Sequence, residues 1–287
     1  MPGKIKRSRE VGSGLQGWVH RMRNSADFIS ETLDRPLEVV YRDEHLIAVF
    51  KPAGLMVHRG EISSGEEPAL LQALRDQVGQ FLYPIHRIDR PTAGLVLMAT
   101  SSSVAAGLGE LFMSHRVLKH YQALVRGWMP DLCTIDRPLL HPKYFEEREE
   151  RAGEEQNATT HFRCLKRFEA PWASPSFPTS RFSLLEAQPE TGRWHQIRRH
   201  LNHIGHPVIG DHRHGDHRWN QAFYQQTGIY RMLLTAMRLE FRHPVTQEPI
   251  SLLVGRGEAF DEALAKLTAV ACVDNRSAVE GDQSSPL

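Results

Sequence analysis

Apolar positions along the chain fall into short runs of strand or helix spacing, divided by clusters of Gly, Pro, Asp and Ser. LEVVYRDEHLIAVFKPAGL predicts two strands, residues 37–41 and 46–51, joined by the polar turn Arg42-Asp43-Glu44 and halted by Pro52 and Gly54. In PALLQALRDQVG, Leu70, Leu71, Leu74 and Val78 share a helical face that Gly79 ends. Residues 95–99 are an unbroken apolar run between Gly94 and a serine cluster, the pattern of a strand buried on both faces. SVAAGLGELFMSH predicts a helix, KHYQALVRG a strand ended by Gly127, RFSLLEAQP and RMLLTAMRLEF two further strands, and EAFDEALAKLTAVA a C-terminal helix. RWHQIRRHLNHIG predicts a helix with Trp194, Ile197, Leu201 and Ile204 on one stripe. Residues 141–180 turn polar and Pro-rich and are expected to form an insertion zone, broken by the strand-like THFRCLKRF.

Strands and helices without strict alternation predict an α+β fold, built on a large, mainly antiparallel mixed β-sheet flanked by helices and loops. Residues 1–35 carry no period and are expected to be a basic, flexible N-terminal extension; residues 36–272 are expected to form one domain and 273–287 a disordered tail. Overall charge identifies no partner, since 35 basic residues face 34 acidic ones. Its distribution does more: over residues 1–23 Lys4, Lys6, Arg7, Arg9, Arg21 and Arg23 stand against Glu10 alone, and Arg and His are dense again over residues 192–218, as a polyanion would require. Cys133, Cys164 and Cys272 form no C-x-x-C pair, which argues against a disulfide framework or cysteine zinc site and fits a reducing cytoplasm. No run of eighteen apolar residues occurs, so neither a membrane span nor export is expected.

The stretch IHRIDRPTAGLVLMAT sets Asp89 between Arg87 and Arg90, after His86 and before Pro91 and Gly94. A D-R-P tripeptide is in most settings a surface turn with a local ion pair. Here the turn runs into a buried strand, which would pin its backbone and hold one side chain rigidly above a sheet. Guanidinium groups beside it would keep the carboxylate ionised, fit to act as a nucleophile or base but not as an acid.

HRIDRPTAG resembles the H-R-L-D-R-x-T-S-G signature of the pseudouridine synthases of the RluA type, with Ile88 for Leu and Ala93 for Ser. KPAGLMVH, KHYQALVRG and TGRWHQIRRHLNHIGHPVIGD are similar, in the family's order, to its K-P-x-G-x-x-V-H, K-x-Y-x-A-x-V-x-G and T-G-R-x-H-Q-I-R-x-H…G-H-P-x-x-G-D motifs, so the resemblance covers roughly residues 37–255. It implies the pseudouridine synthase catalytic fold over residues 36–272 and an isomerase that breaks the bond from C1′ to N1 of uridine, turns the uracil, and joins C1′ to C5. No cofactor, metal or nucleotide is implied. By the same resemblance Asp89 is the catalytic carboxylate, attacking C1′ or taking a proton from the sugar. Tyr121 stacks on the uracil, Arg198 pairs with Asp89, and Arg90 fills the space of a flipped-out uridine. His86, Arg87, Arg193, His195 and Gln196 complete the expected RNA-contacting set. Spacing alone does not separate Arg198 from Arg199; Ile197 is expected to face the core and Arg198 the rim. Thr191, Gly192 and Arg193 are expected to shape the turn before the helix, with Gly192 free to take positive φ. Arg193, Arg199, Arg213, Arg218 and the basic arm are candidates for phosphates.

Within the family, GDHRHGDHRWN, with Asp211, His214, Gly215, Asp216 and Asn220, is similar to the segment of members that modify uridine 65 of transfer RNA. Thr235 stands where the family usually has His. The expected partner is therefore tRNA, met by a cytoplasmic monomer. Two alternatives remain: a ribosomal RNA pseudouridine synthase, and a silent RNA-binding protein, whose mark would be loss of the Asp, Tyr or Arg that are all present here. Sixteen histidines also invite a metal site, through His195, His200, His203 and His206 or through His212, His214 and His217 beside Asp211 and Asp216, but they lack the spacing of an H-E-x-x-H pair.

Overall fold

The computed structural model describes residues 35–58, 69–141, 153–174, 177–270 and 272–274. The expected N-terminal extension, apart from Arg35, and tail residues 275–287 lie outside them. In chain order the elements are β1 (Val39–Arg42), β2 (Leu46–Lys51), α1 (Leu70–Val78), β3 (Tyr83–Pro84), β4 (Ala93–Ala99), α2 (Ser102–Met113), β5 (Leu118–Arg126), β6 (Leu132–Asp136), β7 (Leu139–Leu140), β8 (Glu155–Gln156), β9 (Thr159–Ala170), β10 (Ser180–Pro189), α3 (Gln196–His203), α4 (His217–Thr227), β11 (Leu234–Arg242), β12 (Pro249–Leu253), α5 (Glu258–Val270) and β13 (Cys272–Asp274).

The main sheet runs β1-β2-β4-β11-β5-β10-β9-β13, with β12 added to β11, β3 to β4 and β6 to β9. Its strands pair antiparallel except β4 with β11, so the sheet is mixed and mainly antiparallel. Helices cover both faces, which is why all seven residues of β4 are buried. Val96 and Met98 pack with Leu70 and Leu74 of α1, whereas Leu95, Leu97 and Ala99 pack with Val104 and Leu108 of α2. Farther along the sheet, Ile197 and Leu201 of α3 lie on Ala123 and Val125 of β5, and Leu124 faces Phe223 of α4 and Phe260 of α5. Tyr121, in the middle of β5, packs against both the α1 and the α3 clusters.

The structure alters or extends three readings. The strand expected within the insertion zone is β9, twelve residues of the main sheet paired with both β10 and β6, so residues 159–170 belong to the sheet. The helix expected from Arg193 begins only at Gln196, so Trp194 precedes it and stacks on His195 instead of joining the Ile197 stripe. Residues 217–227, to which no element was assigned, form α4, whose cap Asp216 accepts from the amides of Arg218 and Trp219. Thr235 is fully buried in β11, donating to the Arg256 carbonyl at 3.0 Å and accepting from Arg231 at 3.1 Å.

The parallel contact between β4 and β11 depends on Gly94. Its φ is 116°, and a Cβ there would lie 2.1 Å from the Ala236 carbonyl oxygen of the neighbouring strand. Gly94→Ala is expected to lose about 3 kcal/mol or more of unfolding free energy in urea. Gly109→Ala, inside α2 with nothing within 4 Å, is expected to gain about 0.5–1 kcal/mol. Equal stability of Gly94→Ala and the parent protein would show that the two strands need no such approach.

Candidate active site

The Asp89 turn is held from below. Buried Ile88 anchors it, and the amide of buried Thr92 donates to the Asp89 carbonyl at 3.0 Å. The loop after β2 clamps it from the side: the Gly54 amide donates to the Arg90 carbonyl at 2.8 Å, and Nε of Arg90 returns a bond to the Gly54 carbonyl at 2.9 Å. Lys51 ties both together. Its fully buried Nζ donates to the carbonyls of Pro52, Leu55 and Arg90 at 2.9, 2.7 and 3.1 Å, using the three donors of an ammonium group. Burial pulls this amine well below the usual lysine range, and the charge of Asp89 acts against that pull.

From the other side α3 delivers Arg198. Nη1 donates to Oδ2 of Asp89 at 2.7 Å, while Nε and Nη2 grip Oδ2 and Oδ1 of Asp211 at 2.7 and 2.8 Å. The guanidinium is 3% exposed and Asp211 1%. Arg198 thus turns inward, not to the rim as its place after Ile197 implied, because two carboxylates draw it there. Arg199 points elsewhere and donates to the Leu140 carbonyl. Burial would raise the Asp211 carboxyl, but Arg198 and the amides of His214 and Arg213 outweigh it and hold the group below the usual carboxylate range. The segment presenting Asp211 is itself fastened: Asn220 of α4 accepts from the Gly210 amide and donates to the Asp211 carbonyl, both at 2.9 Å. A Cβ on Gly215 would fall 2.0 Å from that same carbonyl oxygen.

His195, not Gly192, takes the left-handed conformation before α3, with φ 52°. Its Nε2 stands 3.7 Å from Oδ2 of Asp89 and its Nδ1 lies 2.7 Å from Nε2 of His214. Burial, aided by the Arg198 charge, pushes His195 down to about 2, and burial pushes His214 down to about 4, so both rings are neutral at neutral pH. Gln196 is buried and shapes the preceding turn, accepting from the Thr191 hydroxyl and the Arg193 amide while donating to Thr159 and Thr160. Arg193 donates to the Asn157 carbonyl. His86 accepts from the Leu97 amide through Nε2 at 3.1 Å and stacks on Phe112; burial drives it down to about 4.

A cavity of about 490 Å³ opens over Asp89, floored by Ile88, Tyr121, Ile197 and Leu234 and edged by Arg87, Lys119 and Arg193. Tyr121 stays protonated, because burial and the neighbouring Asp89 charge both raise its phenol above the usual range. Burial lowers Lys119 to about 8, and its Nζ donates to the carbonyls of Glu190 and Thr191. A carboxylate beside a protonated phenol over an apolar floor can take up a flat, neutral ring and attack or deprotonate an atom at its edge. Lys51 and Lys119 escaped the sequence reading of site residues, and Asp211 was noted only within a motif. The signal for Lys51 was a lysine closing an apolar strand. The histidines weighed as ligands have other partners: His200 bonds Thr160 and the Arg137 carbonyl, and His206 the Arg126 carbonyl. Among the described residues no three His, Cys, Asp or Glu side chains converge as metal ligands.

A family model described as RNA pseudouridylate synthase matches residues 45–203. The chain is 41% identical over 232 residues to tRNA pseudouridine synthase C of Vibrio cholerae, which spans 80% of this chain and 95% of that protein. It is 43% identical over 221 residues to the protein of the same name from Pasteurella multocida, covering 76% and 91%. Among solved structures, human RNA pseudouridylate synthase domain containing 4 superposes with a TM-score of 0.62 at 24% identity, covering 87% of this chain and 98% of that one. This last likeness concerns the fold.

Asp211→Asn leaves buried Arg198 facing an amide and is expected to cost about 3–5 kcal/mol in urea unfolding, more than Asp89→Asn, whose carboxylate is partly exposed. Equal losses would show that Asp211 is not the principal anchor. His86, depressed to about 4 when folded, binds a proton more readily in the unfolded chain. Its contribution is therefore complete above about pH 6.5 and falls by roughly 3 kcal/mol as pH drops toward 4. His195 and His214 act in the same direction. His86→Gln, whose amide oxygen can accept from Leu97 without titrating, is expected to flatten the acid limb of the stability curve; an unchanged limb would remove His86 from it.

Proposed function

The chain belongs to the RNA pseudouridylate synthase family, of the RluA type, and from that premise we propose that its substrate is transfer RNA and its product pseudouridine at position 65. Isomerase activity on RNA follows from the family. The finer address is supported by two relatives, each more than 40% identical over most of both chains and each named for tRNA. It is supported too by the resemblance of residues 210–220 to the members that act at uridine 65. That segment carries Asp211, the second anchor of Arg198.

The observation that carries the mechanism is the bond from Arg198 to Asp89 at the mouth of an apolar-floored cavity. In this reading the target uridine leaves its stack and enters over Ile88, Tyr121 and Leu234, since C1′ and C5 are unreachable inside a helix. Asp89, oriented by the N–H bond from Arg198, attacks C1′ or removes a proton from the sugar, and either route frees N1 of the uracil. The Tyr121 ring offers a face for the freed base to turn against, and its protonated phenol a donor. Arg87 lines the mouth of that cavity, and Arg90 lines the adjoining one beside Asp89, where a flipped base would leave a gap. The reaction changes neither oxidation state nor composition, so it calls for no cofactor. The protein is read as a monomer working in the cytoplasm.

The test is to incubate the purified chain with unmodified tRNA transcripts in EDTA and map pseudouridine nucleotide by nucleotide, with Asp89→Asn alongside. Product at position 65 that falls by at least about 10³-fold in the variant is expected. Product at another position would keep the chemistry and overturn the address. Product on ribosomal RNA alone would favour the ribosomal alternative, and none on either RNA the silent binder.

A further inference from the structure

A second cavity, of about 560 Å³, adjoins the apolar-floored one and shares Asp89, His195 and Arg198 with it. Its character differs. Arg87, Arg90, Arg193, Arg198 and Arg213 line it, and Asp89 is the only carboxylate among its lining residues. Arg198 is bound by both Asp89 and Asp211, and with four other guanidiniums the lining carries more basic than acidic side chains, which attract an anion into the recess. An apolar floor suits a base; this lining suits an anion.

One of the cations is set in place by an aromatic ring. Trp194, displaced from the helix stripe by the left-handed turn at His195, stacks on the His195 ring with centroids 3.7 Å apart and planes at 17°. The guanidinium of Arg213 lies over the indole, 4.7 Å from its centroid, and the edge of His214 closes the assembly at 5.6 Å. A guanidinium held over an aromatic ring can turn its N–H edge toward a phosphate, which accepts two parallel hydrogen bonds. The amide of Arg213 is bonded to Asp211 at 2.9 Å, so its backbone is fixed to the same carboxylate that holds Arg198.

We propose that this second cavity is a phosphodiester subsite, in which Arg213, stacked on Trp194, clamps the RNA backbone next to the target nucleotide while the uridine occupies the cavity across Asp89. The proposal rests on the RNA-modifying reading above and specifies how its substrate is held. The reacting C1′ then sits between two fixed points, a base seated on Tyr121 and a phosphate seated on Arg213, and Asp89 lies between them.

The experiment measures Kd for an unmodified tRNA transcript over a range of salt concentrations, with product formation followed in parallel. Arg213→Gln is expected to weaken binding by about 5- to 10-fold at low salt and to reduce the slope of log Kd against log salt by about 0.7–0.9, as loss of one phosphate contact requires. Arg213→Lys is expected to restore the slope but only part of the affinity, because an ammonium keeps the charge and loses the stacked fork. Trp194→Leu is expected to weaken binding as well, and the double variant Trp194→Leu, Arg213→Gln to bind no worse than Arg213→Gln alone. Trp194→Phe, which keeps an aromatic face, serves where the leucine variant does not fold. An unaltered salt slope in Arg213→Gln, or fully additive losses in the double variant, would overturn the subsite. If the parent protein makes pseudouridine in either of these cases, the RNA-modifying reading survives and the subsite alone falls. If the parent makes none yet its salt slope still drops in Arg213→Gln, the subsite stands and the catalytic reading falls.

Discussion

A guanidinium cannot remain charged inside a protein without anions to face it, and Arg198 faces two. Three distant segments meet through this side chain: the turn before β4 brings Asp89, α3 brings the arginine, and the loop before α4 brings Asp211. Asp211 takes the bidentate share and is nearly inaccessible, so it serves the arginine; Asp89 takes a single N–H and stays open to the cavity. The division follows from geometry, because a fork saturated on one side by a carboxylate has one edge left with which to orient another. Much of the surrounding loop then exists to hold Asp211 still, from the amides of Arg213 and His214 to the side chain of Asn220.

The sheet supplies the other half of the constraint. Asp89 stands where β4 enters the fold, and β4 runs parallel to β11 only because Gly94 lets the two backbones close up beside Ala236. Tyr121 reaches the same place from β5, which pairs with β11 on its other edge. A carboxylate and a phenol from strands separated by one other strand therefore share a floor. Lys51 completes the support beneath the turn by spending its three donors on backbone carbonyls, with Asp89 close enough to favour its charge.

The histidines show how composition misleads. Sixteen of them in one chain look like a metal protein, yet those nearest the site are buried beside arginines and kept neutral, joined to one another, to carbonyls or to hydroxyls. His195 links the two cavities: one ring nitrogen approaches Asp89, the other meets His214, and the ring face carries Trp194. Its left-handed backbone places the ring there. The same turn that ends the approach to α3 thus sets both the wall of the base cavity and the stacked pair beside Asp89.

Periodicity and motif order were enough to reveal most of the strands of the main sheet, the helices α1, α2 and α5, the mixed and mainly antiparallel character of the sheet, and the family with Asp89 at its centre. Those features are local, or are carried by side chains whose spacing records one buried face. The short strands β6 and β12 and the helix α4 were not legible, since each is half exposed and its apolar positions give no clear strand or helix period, and neither was the sheet position of β9. Nor was the inward turn of Arg198, the role of Asp211, the burial of Lys51 or the pairing of Arg213 with Trp194. Each of these is a charge whose direction is chosen by whichever counter-charge, carbonyl or ring the fold brings within about 3–5 Å, and only the tertiary structure decides that neighbour.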